Sequence, residues 1–525
     1  MRAIFLTTLV ILLTGCGSAA VIGEEPAPPA PVTDNLASSG PTRPEVDLPE
    51  PYAKPGGDRL DSSSENPSSV NSPAEGSALV PLGMTVPLVA WNSEQHAYEL
   101  QLIDPATGEV FPGRSPIEVG RSAEDPPAVS LSPDGSQLAF VTGVGSACDA
   151  YYGCPPAADE VQVIDLPTWS QTTADIAAQF PEAHSPLKGW VNPLVFSPDG
   201  EHFALAYHRR DGTTAMLFDA RTGQLLGQEP LPIRPRLMEF SADGTELVIY
   251  GSPLAEIPWI SQPGPPSVLL LDAGSLEFQW SQLLPDILEG SWCLENCGSQ
   301  SEVTRAAYWW PAVEFSPERQ ELYIVHADAD RLTTVNFQDR AVRSQVIGPR
   351  PTWIERLLAL TADIAEAKVW PEGASKSAVL SPEGTRLYLV GHTWNRTQNV
   401  KGEWQVSETI HGLRVIEVKS GYELDALEAK ADWISLSPDR RYVILQTGWR
   451  GLTKVLSADS LEPLGQVDGL EFQPSRRLDG EPILIAIRYG PTLYRPSQVS
   501  MLAPETFEIL SSWSTTGIGF WLTVP

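Results

Sequence analysis

The sequence predicts an all-β fold, a β-propeller of eight four-stranded blades, from three observations. One tight-turn phrase returns between apolar runs, one third-strand pattern returns eight times, and a spare C-terminal strand matches a gap in the first unit. Seven blades is the competing count, because the last two units are degenerate.

The turn phrase appears as Ser132-Pro-Asp-Gly135, Ser197-Pro-Asp-Gly200, Ser241-Ala-Asp-Gly244, Ser316-Pro-Glu-Arg319, Ser381-Pro-Glu-Gly384 and Ser437-Pro-Asp-Arg440. Proline presets φ, aspartate tolerates a turn and glycine permits positive φ, so each phrase joins the first and second strands of a unit. A third strand follows, ending at an acid and a turn, as in LQLIDPATGE, VQVIDLPTWS, AMLFDARTGQ and VLLLDAGSLE. LTTVNFQDRA, LRVIEVKSGY, TKVLSADSLE and VSMLAPETFE complete the set. Four-stranded units of this kind are small twisted sheets that need neighbours to cover both faces. The first unit lacks its first strand, and Ile518–Val524 supplies a strand with no unit of its own. Pairing the two closes the ring and leaves no exposed edge.

The pattern resembles the bacterial propeller families related to WD40, YVTN and TolB-type repeats. The resemblance rests on the SPDG turn and on the apolar-Asp-x-x-Thr-Gly strand ending at Asp104 and Asp219, and it covers most of residues 80–525. It implies the fold and says almost nothing about function, since propellers host enzymes, scaffolds and receptors alike.

The N-terminal end speaks to compartment. Arg2 precedes an apolar stretch, Ile4–Leu13, too short to span a bilayer as a mature helix and suited to a cleaved export signal over 1–15. Leu13-Thr-Gly-Cys16 resembles the lipobox of bacterial lipoproteins, which implies a diacylglycerol on Cys16 and a partner in the lipid bilayer. The competing reading is an ordinary signal with a chance cysteine. Acyl chains at about 0.8 kcal/mol per buried methylene hold such a protein on the membrane. Residues 16–78 are Pro, Ser, Ala, Gly and acid, and read as a disordered tether leading to the propeller at 79–525. The expected location is the bacterial cell envelope, outside the cytoplasm, at the cell surface or in the periplasm. A formal charge of -31 repels phosphate backbones and argues against nucleic acid as a partner.

Cys148 and Cys154, and Cys293 and Cys297, form two close pairs that two local disulfides would account for in an oxidising compartment. A four-thiolate zinc site is the alternative, although the first pair is too widely spaced for it.

Strand order sorts the loops. Turns between first and second strands and between third and fourth strands share one face of the disc and are short. The other face receives the long insertions, including a short amphipathic helix expected at about 352–367 from Thr352-Trp-Ile-Glu355 and the apolar spacing after it. That face is aromatic, with Trp259, Trp292, Tyr308, Trp309, Trp310, Trp394 and Trp404 as candidate binding residues. Exposed Trp and Tyr suit protein partners or sugar rings. The bland alternative is that long loops need these rings for their own small cores. In Trp309-Trp310, neighbours in an extended segment point opposite ways, so one can be buried while the other faces out.

Signatures of chemistry are sparse. There is no G-x-S-x-G elbow, H-E-x-x-H helix, P-loop or EF-hand loop. Asp328-Ala-Asp330 reads as a solvated loop more readily than as a calcium site. His208, His326 and His392 each end a second strand near the elaborated face, but on three different blades. Asp165, Asp219 and Asp272 lie at the opposite face and read as turn stabilisers. The expected function is a non-catalytic binding or scaffold lipoprotein with a protein or polysaccharide partner and no cofactor, compatible with a bound divalent cation such as calcium. A metal-dependent lactonase-like propeller is the alternative and a quinoprotein-like dehydrogenase a further one.

Overall fold

The computed structural model describes residues 82–520, apart from 93–96, 113, 121–128, 143–159, 176–193, 210–211, 254–263, 296–304, 351–372, 399–403, 438, 448–451, 469, 489–496, 504–505, 507 and 516–518. Cys16, the signal and tether, Cys148, Cys154, Cys297, Trp259 and the helix expected at about 352–367 lie outside the described residues.

Eight blades form the ring. Each of the eight third strands read from the sequence lies in its own sheet. In blade 1 the strand Val86–Asn92 pairs with Ala97–Ile103 on one side and with Gly519–Phe520 on the other, so the C-terminal strand supplies the missing first strand. The two degenerate units are complete, from Trp433–Leu436 to Pro463–Asp468 and from Leu470–Arg476 to Ile509–Thr515. Among the described residues the sole helix is a single 3-10 turn, Leu82–Met84.

Burial shows why the ring closes. Every neighbouring pair of blades shares an apolar layer. Phe140 and Ile164 meet Tyr98 and Leu100, for example, and Ile485 and Val499 of blade 8 meet Val86 and Ile103 of blade 1. No blade could bury both faces alone, so the sheets hold one another.

The SPDG turns repeat one hydrogen-bond pattern. Ser132 Oγ donates to Asp134 Oδ1 at 2.6 Å and accepts from the Gln137 amide at 2.8 Å, while Gly135 takes a φ of 72°. The same bonds recur at Ser197 and Asp199, Ser241 and Asp243, and Ser437 and Asp439. In blade 8 the turn Arg477-Leu-Asp-Gly480 keeps the shape, with an Arg477–Asp479 ion pair replacing the serine. Asp165, Asp219 and Asp272 accept from the hydroxyls of Thr168, Thr222 and Ser275, so their carboxylates hold the turns between third and fourth strands.

Blade 6 departs from the common plan. Its sheet has six strands, because the hairpin Gly290–Glu295 and Arg305–Trp310 adds to the edge of the first strand Gly373–Leu380. That contact is parallel, with Trp309 opposite Ala374 and Trp310 opposite Ser375. The second and third strands, Arg386–Gln398 and Trp404–Glu417, stay paired out to Gln398 and Trp404 as a ribbon beyond the length of a blade. The added hairpin and the ribbon are thus β-structure built onto one blade.

Candidate functional site

The enlarged sheet of blade 6 has two faces, and each carries a distinct group of side chains. Toward blade 7 lie Tyr308, His392 and Trp394. The rings of Tyr308 and Trp394 meet edge-on with centroids 6.4 Å apart, and those of His392 and Trp394 with centroids 4.1 Å apart. Tyr308 is 41% exposed and Trp394 half-buried, so the two form a ledge open to solvent. Gly373 makes the ledge sterically feasible. A Cβ there would come within 2.9 Å of the Tyr308 carbonyl and 3.0 Å of the Trp394 ring. Beneath the ledge, His392 Nδ1 lies 3.1 Å from Asp432 Oδ1.

Toward blade 5 the same sheet borders a cavity of about 240 Å³, lined by Asp328, Asp330, Lys376, Thr393, His411 and Arg414. The acids come from the turn between the second and third strands of blade 5, Glu321–Val325 and Arg331–Asn336. Asp330 joins the two blades. It accepts from Arg414 at 2.7 Å and lies 3.6 Å from Lys376 Nζ. Arg414 also reaches Glu423 at 2.6 Å, and Lys376 donates to the Ala329 carbonyl at 2.8 Å. Asp330 is 58% exposed, so solvent screens these pairs and each adds little to stability.

Titration in the cavity follows from burial and charge. Burial pushes the Lys376 ammonium down to about 8, against the opposing pull of Asp330. Partial desolvation raises the Asp330 carboxyl, but Lys376 and Arg414 together outweigh it and hold the group below its ordinary value. Burial, and then Lys376, lowers the His411 imidazole. The Asp328-Ala-Asp330 segment is a loop with a largely solvated Asp330, as the sequence suggests, and Asp330 also forms ion pairs across to blade 6.

The remaining sequence candidates have other roles or positions. Trp309 is 8% exposed against Ala327, Ala374 and Leu288, and its indole N–H finds no partner among the described residues. Trp310 is half-buried under the Arg236 guanidinium, which lies 5.4 Å from the ring centroid. Arg236 donates to the Pro311 carbonyl at 2.6 Å and lies 3.5 Å from the buried carboxylate of Glu289, to which Tyr250 and Ser252 also donate. Trp292 and Cys293 occupy the outer added strand, opposite Ala307 and Ala306, and Trp404 pairs with Gln398 at the ribbon tip. Of the three histidines, His326 is buried and bonded to Thr333 at 2.8 Å, with burial lowering its pKa to about 4, whereas His392 faces blade 7. His208 is the penultimate residue of the strand His202–Arg209 of blade 3.

Sequence reasoning did not single out Lys376, His411, Arg414, Glu408 or Asp432. They are isolated charges on ordinary strands or connections, and only the fold brings them together.

No protein-family model matches the sequence, and no curated protein does. Among solved structures, the chain is similar to a dihydro-heme d1 dehydrogenase, NirN, in complex with DHE, at 12% identity and a TM-score of 0.49, covering 83% of this chain and 75% of that one. It is also similar to a putative 6-phosphogluconolactonase from Bacteroides uniformis, at 11% identity and a TM-score of 0.38, covering 73% and 97%. A third is the β-propeller domain of Cps50 (Swd1) from Myceliophteria thermophila, at 13% identity and a TM-score of 0.36, covering 74% and 97%. At these values the likenesses carry no argument about activity.

Proposed function

We propose that the protein is a lipid-anchored envelope propeller acting as a binding module, which holds a polysaccharide chain against the ledge of blade 6. The carrying observation is the ledge itself. Tyr308 and Trp394 come from two added β-elements, meet at 6.4 Å and stay open to solvent on a rigid sheet. Aromatic faces fixed in this way suit the apolar faces of sugar rings, and they lose little side-chain freedom on binding. Acylation of Cys16, with 16–78 as a tether, would hold the disc at the membrane and outside the cytoplasm, where such polymers lie.

The test is binding of the full chain to an array of bacterial envelope polysaccharides, with Tyr308→Ala and Trp394→Ala alongside. One aromatic face is worth about 0.5–1.5 kcal/mol, so each variant should lose roughly 2- to 13-fold in affinity. Retention of no polysaccharide, or equal affinity in both variants, overturns the proposal.

A further inference from the structure

We propose that His392, Glu408 and Asp432 form a site for a divalent first-row transition metal ion, zinc or a close neighbour, at the root of the blade 6 ribbon. Each of the three can present one donor atom so that all lie within 4.8 Å of one another. They come from three segments that the fold holds in place. His392 is on the second strand, opposite Ile410, and Glu408 is on the third, opposite Trp394, which places it diagonally across from His392. Asp432 lies between blades 6 and 7, where its amide donates to the Gln446 carbonyl at 2.8 Å.

The distances suit one ion. Donors bound at about 2.0–2.2 Å around a tetrahedral ion sit roughly 3.4 Å apart. The 3.1 Å between His392 Nδ1 and Asp432 Oδ1 corresponds to an angle of about 95° at such an ion. His392 and Asp432 keep only 12% and 11% of their side-chain exposure, so two ligands are preset. Glu408 is exposed and free to close on the ion from solvent, with the open side left for water.

The donor set selects the metal. One imidazole nitrogen with two carboxylates suits zinc, manganese, iron or cobalt. Calcium takes six to eight oxygens, and copper(I) favours thiolates. The edge of the Trp394 ring against His392 fixes the imidazole plane. A formal charge of -31 raises the local concentration of cations.

This inference stands apart from polysaccharide binding, since its probe is the metal alone. The full chain, stripped by chelator, is titrated with zinc chloride by calorimetry and with cobalt(II) by visible absorption. One equivalent should bind, with ligand-field bands and no thiolate charge-transfer band. His392→Ala and Asp432→Asn should weaken binding more than 100-fold, beyond the 10- to 100-fold typical of an outer partner. Glu408→Gln, at an exposed position, should weaken it without touching the fold, and His411→Ala should leave it unchanged. Absence of stoichiometric binding, a thiolate band, or wild-type affinity in Glu408→Gln and Asp432→Asn overturns the proposal.

Discussion

Gly391 is the position where the geometry of blade 6 can be tested most directly. A Cβ there would sit 2.4 Å from the Ser375 carbonyl oxygen and 3.0 Å from the Lys376 Cα, both backbone atoms of the adjacent first strand. Gly391→Ala therefore forces that strand back by at least about 0.6 Å, a displacement of the overpacking kind that costs roughly 1–3 kcal/mol. A domain of this size turns 1 kcal/mol into only about 1 °C of melting temperature, at about 2 cal/mol/K per residue. Local readouts are therefore better. Amide hydrogen exchange along Gly373–Leu380 should accelerate by roughly 5- to 150-fold, while strands of the distant blades keep their protection. Lys376 moves with its strand and should lose its grip on the Ala329 carbonyl. Gly465 is the internal control, because a Cβ there meets nothing within 4 Å. Gly465→Ala should be neutral or should stabilise by about 0.4–1 kcal/mol through the unfolded chain. Equal exchange profiles in the two variants would refute the claim that Gly391 sets the spacing of these strands.

Other outcomes follow from burial and charge. Trp309→Ala should cost about 3–5 kcal/mol as a large-to-small core change, whereas Tyr308→Ala, at an exposed ring, should leave denaturant unfolding unchanged. Burial lifts the carboxyls of Glu239 and Glu314 to about 7 and about 8, Glu239 adding its own charge to the lift at Glu314. The folded state then holds protons that the unfolded chain has released, so stability falls as pH rises from about 4.5 to about 8. Unfolding measured over that range should show a shallower fall in Glu239→Gln and Glu314→Gln. Ser197→Ala removes a bond to Asp199 and strands the His202 amide, a loss of roughly 1–3 kcal/mol seen as faster exchange of that amide.

The propeller was legible because its signals are local. Most SPDG turns carry within six residues the hydroxyl, carboxylate and glycine that build them; Arg440, at a φ of 58°, takes the glycine's place after Asp439, and the substituted Arg477-Leu-Asp-Gly480 turn keeps the Asp-Gly pair. The missing first strand could be paired with Gly519–Phe520 by counting. The site was less legible, for a physical reason. The sequence marks Tyr308, Trp309 and Trp310 as three adjacent rings, but a parallel pairing between Trp309 and Ala374 decides which is covered. Lys376, Asp330 and Arg414 lie on two blades and meet through side chains whose spacing in the chain has no period.

One residue explains why two similar strand ends behave differently. Blade 5 reads Leu322-Tyr-Ile-Val-His326, and blade 6 reads Leu387-Tyr-Leu-Val-Gly-His392, so Gly391 is a one-residue insertion before the histidine. Alternation along a strand means that one extra residue moves every later side chain to the opposite face. His326 continues the face of Leu322 and Ile324, which pack toward blade 4, and is sealed against Thr333. His392 instead continues the face of Tyr388 and Val390, which pack toward blade 7, and so meets Trp394 and Asp432. The insertion also opens the opposite face, where Gly391 and Thr393 border the cavity under Asp330. A single glycine thus separates the two histidines and sets both faces of the blade 6 site. Adding a residue to the corresponding strand of blade 5 would turn His326 toward blade 6, the side of Tyr323 and Val325, and restoring the register in blade 6 would turn His392 toward blade 5, the side of Leu387 and Leu389.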